Sequence, residues 1–204
     1  MSSIVELRPG AVAVIVVDNP PVNALKQAVR AGLKDTFTRA RDDASIRAIV
    51  LTAAGRTFMA GADITEFDEP PQPPGLVEVL DLMDASRKPI VAALFGTPLG
   101  GGLEVALACH YRVAAPSTQL GLPEIKLGIL PSAGGTQRLP RLIGIDKALL
   151  MILSGDPIPA AQALDYGLVD AIVEGDVTEG AIAFARRVLA EKRPLRRARY
   201  GGED

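Results

Sequence analysis

Glu104 is the residue of this sequence whose surroundings most need a chemical explanation. It is the only formal charge between Lys88 and Arg112, and it lies between the glycines Gly100–Gly102 and the apolar run 105–109. A carboxylate buried among apolar groups is costly without a partner, and Glu is rarely fully buried unpaired. Glu104 therefore either points out of the core or is used in chemistry.

Glu124 is a second carboxylate with apolar neighbours, in the segment Leu122–Ile125 next to Pro123. Two carboxylates in apolar surroundings can have displaced pKa values and divide the roles of acid and base. The alternative is structural, with Glu124 in an ion pair with Lys126 or Arg138. The spacing alone leaves both interpretations open.

The glycines Gly100–Gly102 stand where a predicted strand passes into a predicted helix. Backbone N–H groups at such a helix start can bind a negative charge or stabilise a developing oxyanion. The small-residue segment 60–63 could supply a second donor. Close packing of helix on strand is the alternative, and a dinucleotide site is disfavoured because the glycines do not match G-x-G-x-x-G.

Cys109 and His110 are the single cysteine and the single histidine of the chain. A single His and a single Cys argue against a Ser–His–acid triad and a zinc site, so neither is predicted, and no metal is expected. Cys109 is expected to pack as a small core hydrophobe. His110 is expected to cap its helix or to form a hydrogen bond in the core.

Charge and hydropathy exclude other classes of protein. The net charge of −2 gives no electrostatic footprint for nucleic acid, and the basic stretch after residue 185 is expected to be a solvated helix face. No apolar run reaches membrane-spanning length, and the N-terminus lacks the pattern of a signal peptide. These observations predict a cytoplasmic protein with no nucleic-acid or membrane partner.

The elements that must position these residues alternate between strands and helices. Continuous apolar runs predict strands at 11–17, 46–52, 89–95, 113–115 and 168–173. Apolar spacing, capping and turn signals predict helices from residue 24 and at 76–83, 102–110, 132–143, 146–153, 159–166 and 178–192. Residues 68–75, with four prolines, are expected to form an exposed loop. Uninterrupted apolar strands between helices favour an α/β fold with a parallel-rich sheet.

The chain resembles the crotonase (enoyl-CoA hydratase/isomerase) superfamily over residues 4 to about 192. The segments that carry the resemblance are Asp18–Leu25, Phe58–Ile64, Lys88–Ala93, Gly100–Glu104, Leu122–Glu124, Leu127–Gly128 and Pro131–Pro140. The resemblance implies a crotonase (ClpP/crotonase-like) β-β-α spiral with surrounding helices over residues 1–193, followed by a polar tail at 194–204.

The resemblance also implies a role for individual residues. Ala62 and Gly101 would donate backbone N–H groups to the thioester oxygen of an acyl-CoA. Glu104 would orient and deprotonate the attacking water, and Glu124 would handle the proton at C2. The residues implied to bind the substrate and its CoA moiety are Ala24, Lys26, Ala60, Asp63, Ile64 and Gly100. Acyl-CoA would be the substrate, and no cofactor is expected.

The implied reaction is syn addition of water across the 2,3 double bond of a 2-enoyl-CoA in fatty-acid β-oxidation. A Δ3-Δ2-enoyl-CoA isomerase, which needs only the carboxylate at Glu124, is the nearest alternative. A CoA-thioester binding module with little turnover is the alternative from another class.

The segment 100–114 looks most like the hydratase part of multifunctional β-oxidation enzymes, which fuse it to a 3-hydroxyacyl-CoA dehydrogenase. Two departures from the family pattern stand out: Ser132 replaces a usual Gly near the acyl pocket, and family members continue with a further helical segment. A homotrimer or hexamer is expected if the fold is complete; otherwise the chain is expected to be part of a multifunctional enzyme.

Overall fold

The computed structural model describes residues 3–63, 66, 70–200 and 202–203. Ten strands are found there: β1 (Val5–Arg8), β2 (Val12–Val17), β3 (Ala48–Ala53), β4 (Ile90–Leu94), β5 (Tyr111–Ala114), β6 (Gln119–Leu120), β7 (Ile158–Pro159), β8 (Ala171–Ile172), β9 (Arg196–Arg197) and β10 (Gly202–Glu203). The main sheet has the order β1-β2-β3-β4-β5-β8. Only β1 runs antiparallel to its neighbour in that sheet, so the predicted parallel-rich sheet is confirmed.

The helices in the described residues are α1 (Gln27–Asp42), α2 (Leu76–Asp84), α3 (Gly101–Ala108), α4 (Gly135–Ile143), α5 (Ile145–Ser154), α6 (Ala160–Asp165) and α7 (Val177–Ala190), with a 3-10 segment at Pro123–Leu127. Each predicted helix is present within about three residues of its predicted bounds. The strand β1 is not predicted by the sequence. Its four residues alternate between apolar and polar side chains, which is too short a pattern to distinguish from a loop.

The central strands of the main sheet, β2 to β5, are buried on both faces. Side chains such as Ile15 and Leu51 pack with α1, α2 and α3 in one cluster. Their neighbours in sequence, such as Val14 and Val50, point to the other face and pack with α7. Because successive side chains of a strand alternate between faces, a strand covered on both faces must be apolar throughout. This packing explains the continuous apolar runs of the sequence.

The chain winds in successive turns, each made of a sheet strand, a short extended segment and a helix. The short segments meet in parallel bridges, with Leu99 between Ala60 on one side and Gly121 on the other. Ala60 follows β3, Leu99 follows β4, and Gly121 follows β5 and the short strand β6. Backbone from three turns of the spiral therefore meets along one line, and α3 starts beside it at Gly101.

The part of the polar tail that the structure describes packs on the rest of the chain. Ala198 is buried. The Arg197 side chain donates to the carbonyl oxygen of Asp84, and Arg196 forms an ion pair with Asp170. These contacts explain how a tail without a hydrophobic pattern is held in place; the domain boundary at residue 193 stays a prediction.

His110 forms a hydrogen bond in the core, one of its two predicted roles. Its Nδ1 accepts from the backbone N–H of Ile90 at 3.0 Å, so the neutral ring carries its proton on Nε2. Burial, with the charges of Arg197 and Arg112, lowers the pKa of His110 to about 3. Cys109 is buried beside it, and burial raises the pKa of its thiol to about 12, as expected for a core hydrophobe.

We expect His110 to make the fold less stable in acid. The unfolded chain takes up a proton near pH 6.5, whereas the folded chain keeps the ring neutral down to about pH 3. The free energy of unfolding should therefore fall between these two values as the pH is lowered, by up to about 1.4 kcal/mol per pH unit from this group. Urea unfolding of the wild type and His110→Asn from pH 7.5 to 4.5 measures the effect. Parallel stability curves for the two proteins would contradict it.

Candidate active site

A cavity of about 450 Å³ opens where the turns of the spiral meet. Its walls are largely apolar and include Leu76, Leu127 and Leu130. Its polar residues are Glu104, Glu124 and Ser132, and the segments 60–62 and 100–101 bring backbone to the same wall. A concave apolar site with a few convergent polar groups is the usual form of a small-molecule binding site.

Glu104 lies in the first turn of α3 and is only 2% exposed. Its Oε1 accepts hydrogen bonds from the backbone N–H groups of Ala133 and Gly135, each at 2.8 Å. Burial raises the pKa of Glu104, while these two N–H groups and the charge of Arg138 act in the opposite direction. Burial is the largest of these effects, so the pKa is raised overall, and the two N–H groups offset only part of the cost of burying this carboxylate.

Glu124 lies in the 3-10 segment and is 8% exposed. Its Oε2 has no hydrogen-bond partner within the described part of the chain. Burial raises the pKa of Glu124, and the charge of Glu104 raises it further. The two carboxylates are therefore electrostatically coupled, and the charge of Glu104 favours the protonated form of Glu124.

The ion pair considered for Glu124 is not formed. Lys126 pairs instead with Asp156, and Arg138 pairs with the buried Asp84. Both cations are thus engaged by other carboxylates that lie far away in sequence and were not candidates from local spacing. Glu124 remains free of an ion pair among the described residues, so no neighbouring cation lowers its pKa.

A different structural reason explains the presence of glycine at each of the positions 100, 101 and 102. Gly100 has a positive φ of 52°, and a Cβ there would lie 3.1 Å from Oε1 of Glu124. A Cβ on Gly102 would lie 1.8 Å from the carbonyl oxygen of Met59, so close packing alone demands that glycine. Gly101 is the first residue of α3 and lines the cavity, so its role is to present a backbone N–H group there.

Ala62 and Gly101 bring two backbone N–H groups to the cavity. Neither group has a hydrogen-bond acceptor among the residues that the structure describes. They are close together, since a Cβ built on Gly101 would lie 3.7 Å from the Ala62 nitrogen. The loop before Ala62 is anchored by the hydrogen bond from Leu25 N–H to the Gly61 carbonyl at 2.9 Å. Two N–H groups so near each other are a possible binding site for one negatively charged oxygen, so the oxyanion role of the pair stays a prediction.

The residues expected to bind the substrate divide into two groups. Ala60 and Gly100 line the cavity. Ala24, Lys26 and Asp63 do not line it, and Ile64 lies outside the described residues. Lys26 precedes the first residue of α1, and the Ala24 carbonyl accepts from Asn19 Nδ2 at 2.9 Å. The assignment of these residues to the CoA moiety stays a prediction.

Asn23 supports the site, although sequence reasoning does not single it out. It has a positive φ of 55°, a conformation that Asn tolerates better than most residues. Its Nδ2 donates to the carbonyls of Ala54 and Thr57, each at 2.9 Å, and its Oδ1 accepts from Asn19 N–H at 2.7 Å. Asn23 therefore ties the turn before α1 to the segment leading to Ala62. An Asn directly after a Pro-rich turn was the available signal.

The described residues offer neither a metal site nor a membrane span. They contain no group of three or more His, Cys, Asp or Glu side chains that could hold a metal ion. Their helices are all too short or too polar to cross a membrane.

Comparison with known proteins identifies the family. A family model for enoyl-CoA hydratase/isomerase matches residues 8–199. The peroxisomal bifunctional enzyme of Danio rerio is 48% identical over 192 residues, which cover 94% of this chain and 27% of that protein. A glyoxysomal fatty acid beta-oxidation multifunctional protein of Cucumis sativus is 46% identical, with 94% of this chain and 28% of that protein covered. The chain thus spans about a quarter of the length of these curated relatives.

The names of these relatives also correct an expectation. They are peroxisomal and glyoxysomal enzymes, so the prediction of a cytoplasmic protein is wrong. That prediction rested on the lack of a signal peptide and of a membrane span. Import into peroxisomes depends on a short targeting sequence that a receptor binds, so neither of these two features is informative about it.

Solved structures agree with the family assignment. The enoyl-CoA hydratase of Bacillus anthracis is 35% identical and superposes with a TM-score of 0.85, covering 92% of this chain and 77% of that chain. A protein from Mycobacterium paratuberculosis is 37% identical, with a TM-score of 0.86 over 93% of this chain and 77% of that chain. The predicted crotonase spiral is therefore confirmed, and the chain belongs to the enoyl-CoA hydratase/isomerase family.

Proposed function

We propose that this chain hydrates 2-enoyl-CoA thioesters, adding water across the 2,3 double bond. One observation carries the proposal: two buried carboxylates and two unpaired backbone N–H groups face the same cavity, all within the described residues. An isomerase needs one carboxylate to move one proton between carbon atoms. Hydration uses one group as a base that deprotonates water and another as an acid that protonates C2. The presence of both Glu104 and Glu124 in the cavity supports hydration.

The first step uses the backbone donors. The N–H groups of Ala62 and Gly101 hold the thioester oxygen and stabilise the negative charge that develops on it. Withdrawal of electrons toward that oxygen makes C3 electrophilic. Glu104 in its ionised form, which accepts two backbone N–H bonds, takes a proton from water as the water oxygen bonds to C3.

The second step delivers a proton to C2. Glu124 is suited to this role because burial and the neighbouring charge of Glu104 raise its pKa and favour its protonated form. The net change adds the hydroxyl group to C3 and a hydrogen to C2. The proton gained by Glu104 returns to Glu124 through solvent or a shared water, which restores the starting state. Glu124 Oε1 lies near Gly100, just before the helix α3 that carries Glu104 in its first turn, so both carboxylates lie near the start of that helix. Syn addition stays a prediction.

The apolar walls suit an acyl chain, and Ser132 lies in the cavity wall where the resemblance places a determinant of chain length. The relatives are multifunctional β-oxidation enzymes, so we also propose that this chain acts as the hydratase part of a longer enzyme. The intact mass of the natural gene product tests that arrangement. Assembly into trimers or hexamers remains a prediction, which sedimentation velocity of the purified chain can measure.

The activity is tested with crotonyl-CoA in water enriched in ¹⁸O. We expect loss of the enoyl-thioester absorbance and a product that contains one heavy oxygen. A 3-enoyl-CoA is the matched second substrate, and its conversion without uptake of ¹⁸O would show isomerisation instead. Binding of crotonyl-CoA by calorimetry with no turnover of either substrate would favour a binding module and refute the proposal.

A further inference from the structure

We propose that Arg138, anchored by Asp84, is a positioning residue for the carboxylate of Glu104. In this view Arg138 fixes the loop 131–135, whose backbone N–H groups hold Glu104 in place. The inference rests on the proposed function, because it concerns the carboxylate that activates water. It adds residues from two other helices, α2 and α4, to the apparatus of the site.

The contacts of Arg138 with the loop are direct. Its Nη1 donates to the carbonyl oxygen of Ala133 at 2.9 Å. A Cβ on Gly134, which has a φ of 107°, would lie 2.0 Å from the same Nη1, so the guanidinium packs against that glycine. The residues on either side, Ala133 and Gly135, give their N–H groups to Glu104. One face of the loop thus contacts Arg138 while its N–H groups contact Glu104.

Asp84 makes this arrangement possible by neutralising the guanidinium. Arg138 Nη2 lies 2.5 Å from Asp84 Oδ2, and the two side chains are 4% and 3% exposed. A buried cation left without its partner would be strongly destabilising, so the guanidinium is tied to this position. The tail adds support, since Arg197 donates to the Asp84 carbonyl and Arg199 lies 3.7 Å from the Asp84 carboxylate.

Backbone bonds from the N–H groups of Gln137 and Arg138 hold the Gly134 carbonyl, and the Arg138 side chain extends this hold to Ala133. Residues 131–134 precede α4, and Gly134 has a conformation that most residues avoid. The hydrogen bond from Arg138 to Ala133 connects the first turn of α4 back to the loop. Loss of the bond would let the two N–H donors move away from Glu104, and its charged form would be less stabilised.

The test compares Arg138→Gln and Arg138→Lys with the wild type. The titration of Glu104 is followed by ¹³C NMR of labelled carboxyl groups, assigned with Glu104→Gln, and kcat for crotonyl-CoA is measured against pH. We expect Arg138→Gln to raise the pKa of Glu104 and to lower kcat about tenfold or more, with KM changed less than about twofold. Arg138→Lys keeps the positive charge but loses the planar guanidinium with its paired donors. Its kcat should therefore lie between that of Arg138→Gln and that of the wild type.

Asp170→Asn is the matched control. It removes a half-buried carboxylate that binds Arg196 and the Arg112 backbone, away from the cavity. This variant should lower the melting temperature and leave the titration of Glu104 unchanged. In a Glu104→Gln background, Arg138→Gln should cause no further loss of kcat, because the residue acts through the one already removed.

Unchanged titration of Glu104 in both Arg138 variants would overturn the inference, whatever happens to stability. If Arg138→Gln fails to fold, Arg138→Lys decides the question by the same titration. The NMR readout needs no turnover, so it separates the two proposals. A shifted pKa in a chain that never hydrates crotonyl-CoA would refute the proposed function and retain the positioning role.

Discussion

Replacing Glu104 by glutamine should lower kcat for hydration of crotonyl-CoA by about 10²–10⁴-fold, the usual contribution of a general acid or base. The amide oxygen can still accept the two N–H bonds from Ala133 and Gly135, so the site should keep its shape. What is lost is the ability to take a proton from water. KM should change little, since the oxyanion donors and the apolar walls remain.

Glu124→Gln should cause a loss of kcat of the same order but differ in the size of its effect on stability. Because burial raises the pKa of Glu124, the folded protein is penalised at neutral pH, where this carboxyl is forced toward ionisation. A neutral amide removes that penalty, so the free energy of unfolding at pH 7 should rise. Burial also raises the pKa of Glu104, so Glu104→Gln should gain stability in the same direction, but two N–H bonds to its carboxylate offset part of the penalty.

The measurements are steady-state kinetics and urea unfolding of both variants. Glu78→Gln is the control, because Glu78 is an exposed carboxylate that pairs with Lys34 on the surface. It should match the wild type in kcat and in stability. A fully active Glu104→Gln beside an inactive Glu124→Gln would contradict the two-carboxylate mechanism and indicate isomerase chemistry.

Replacing Gly102 by alanine should have the largest effect on the fold. The added Cβ would lie 1.8 Å from the carbonyl oxygen and 2.5 Å from the carbonyl carbon of Met59, and backbone on both sides would have to move. Overpacking of a tight core usually costs about 1–3 kcal/mol, and a clash with rigid backbone belongs at the upper end or beyond. We expect a loss of about 3 kcal/mol or more in the free energy of unfolding, or insoluble protein.

Gly75→Ala is the matched control for Gly102→Ala. Gly75 precedes α2 with a φ of −70°, and a Cβ there would have no heavy atom within 4 Å. Its effect on stability should be within about 1 kcal/mol. Thermal unfolding by circular dichroism compares the two variants. A Gly102→Ala protein that melts with the wild type would show that α3 can move away from Met59 at little cost.

The elements and the central pair of glutamates were predictable from the sequence because their signals are local. Continuous apolar runs located the strands, and the uncharged neighbours of Glu104 in the sequence were enough to mark it as unusual. The glycine triplet showed a need for close approach but not which glycine served which purpose. Only the position of Met59 distinguishes the packing role of Gly102 from the N–H donated by Gly101.

The partners of these groups were not predictable, because they are distant in sequence. The donors to Glu104 lie 29 and 31 residues away, and the Asp84–Arg138 pair spans 54 residues. Local spacing suggested Arg138 as a partner for Glu124, but tertiary structure gave it a buried carboxylate on another helix. The prediction of a polar tail without a core signal likewise missed the contacts that its arginines make with Asp84 and Asp170.

The parallel bridges that join Ala60, Leu99 and Gly121 have a consequence for how this chain can change in length. Each of the three segments leads to a different group with a proposed role in the reaction, namely the N–H of Ala62, the N–H of Gly101 and the carboxylate of Glu124. An inserted residue in one segment would displace its group by about 3.3 Å relative to the others and reverse the faces of the side chains that follow. Insertions and deletions should therefore be tolerated in loops such as 70–74, and selected against along this line.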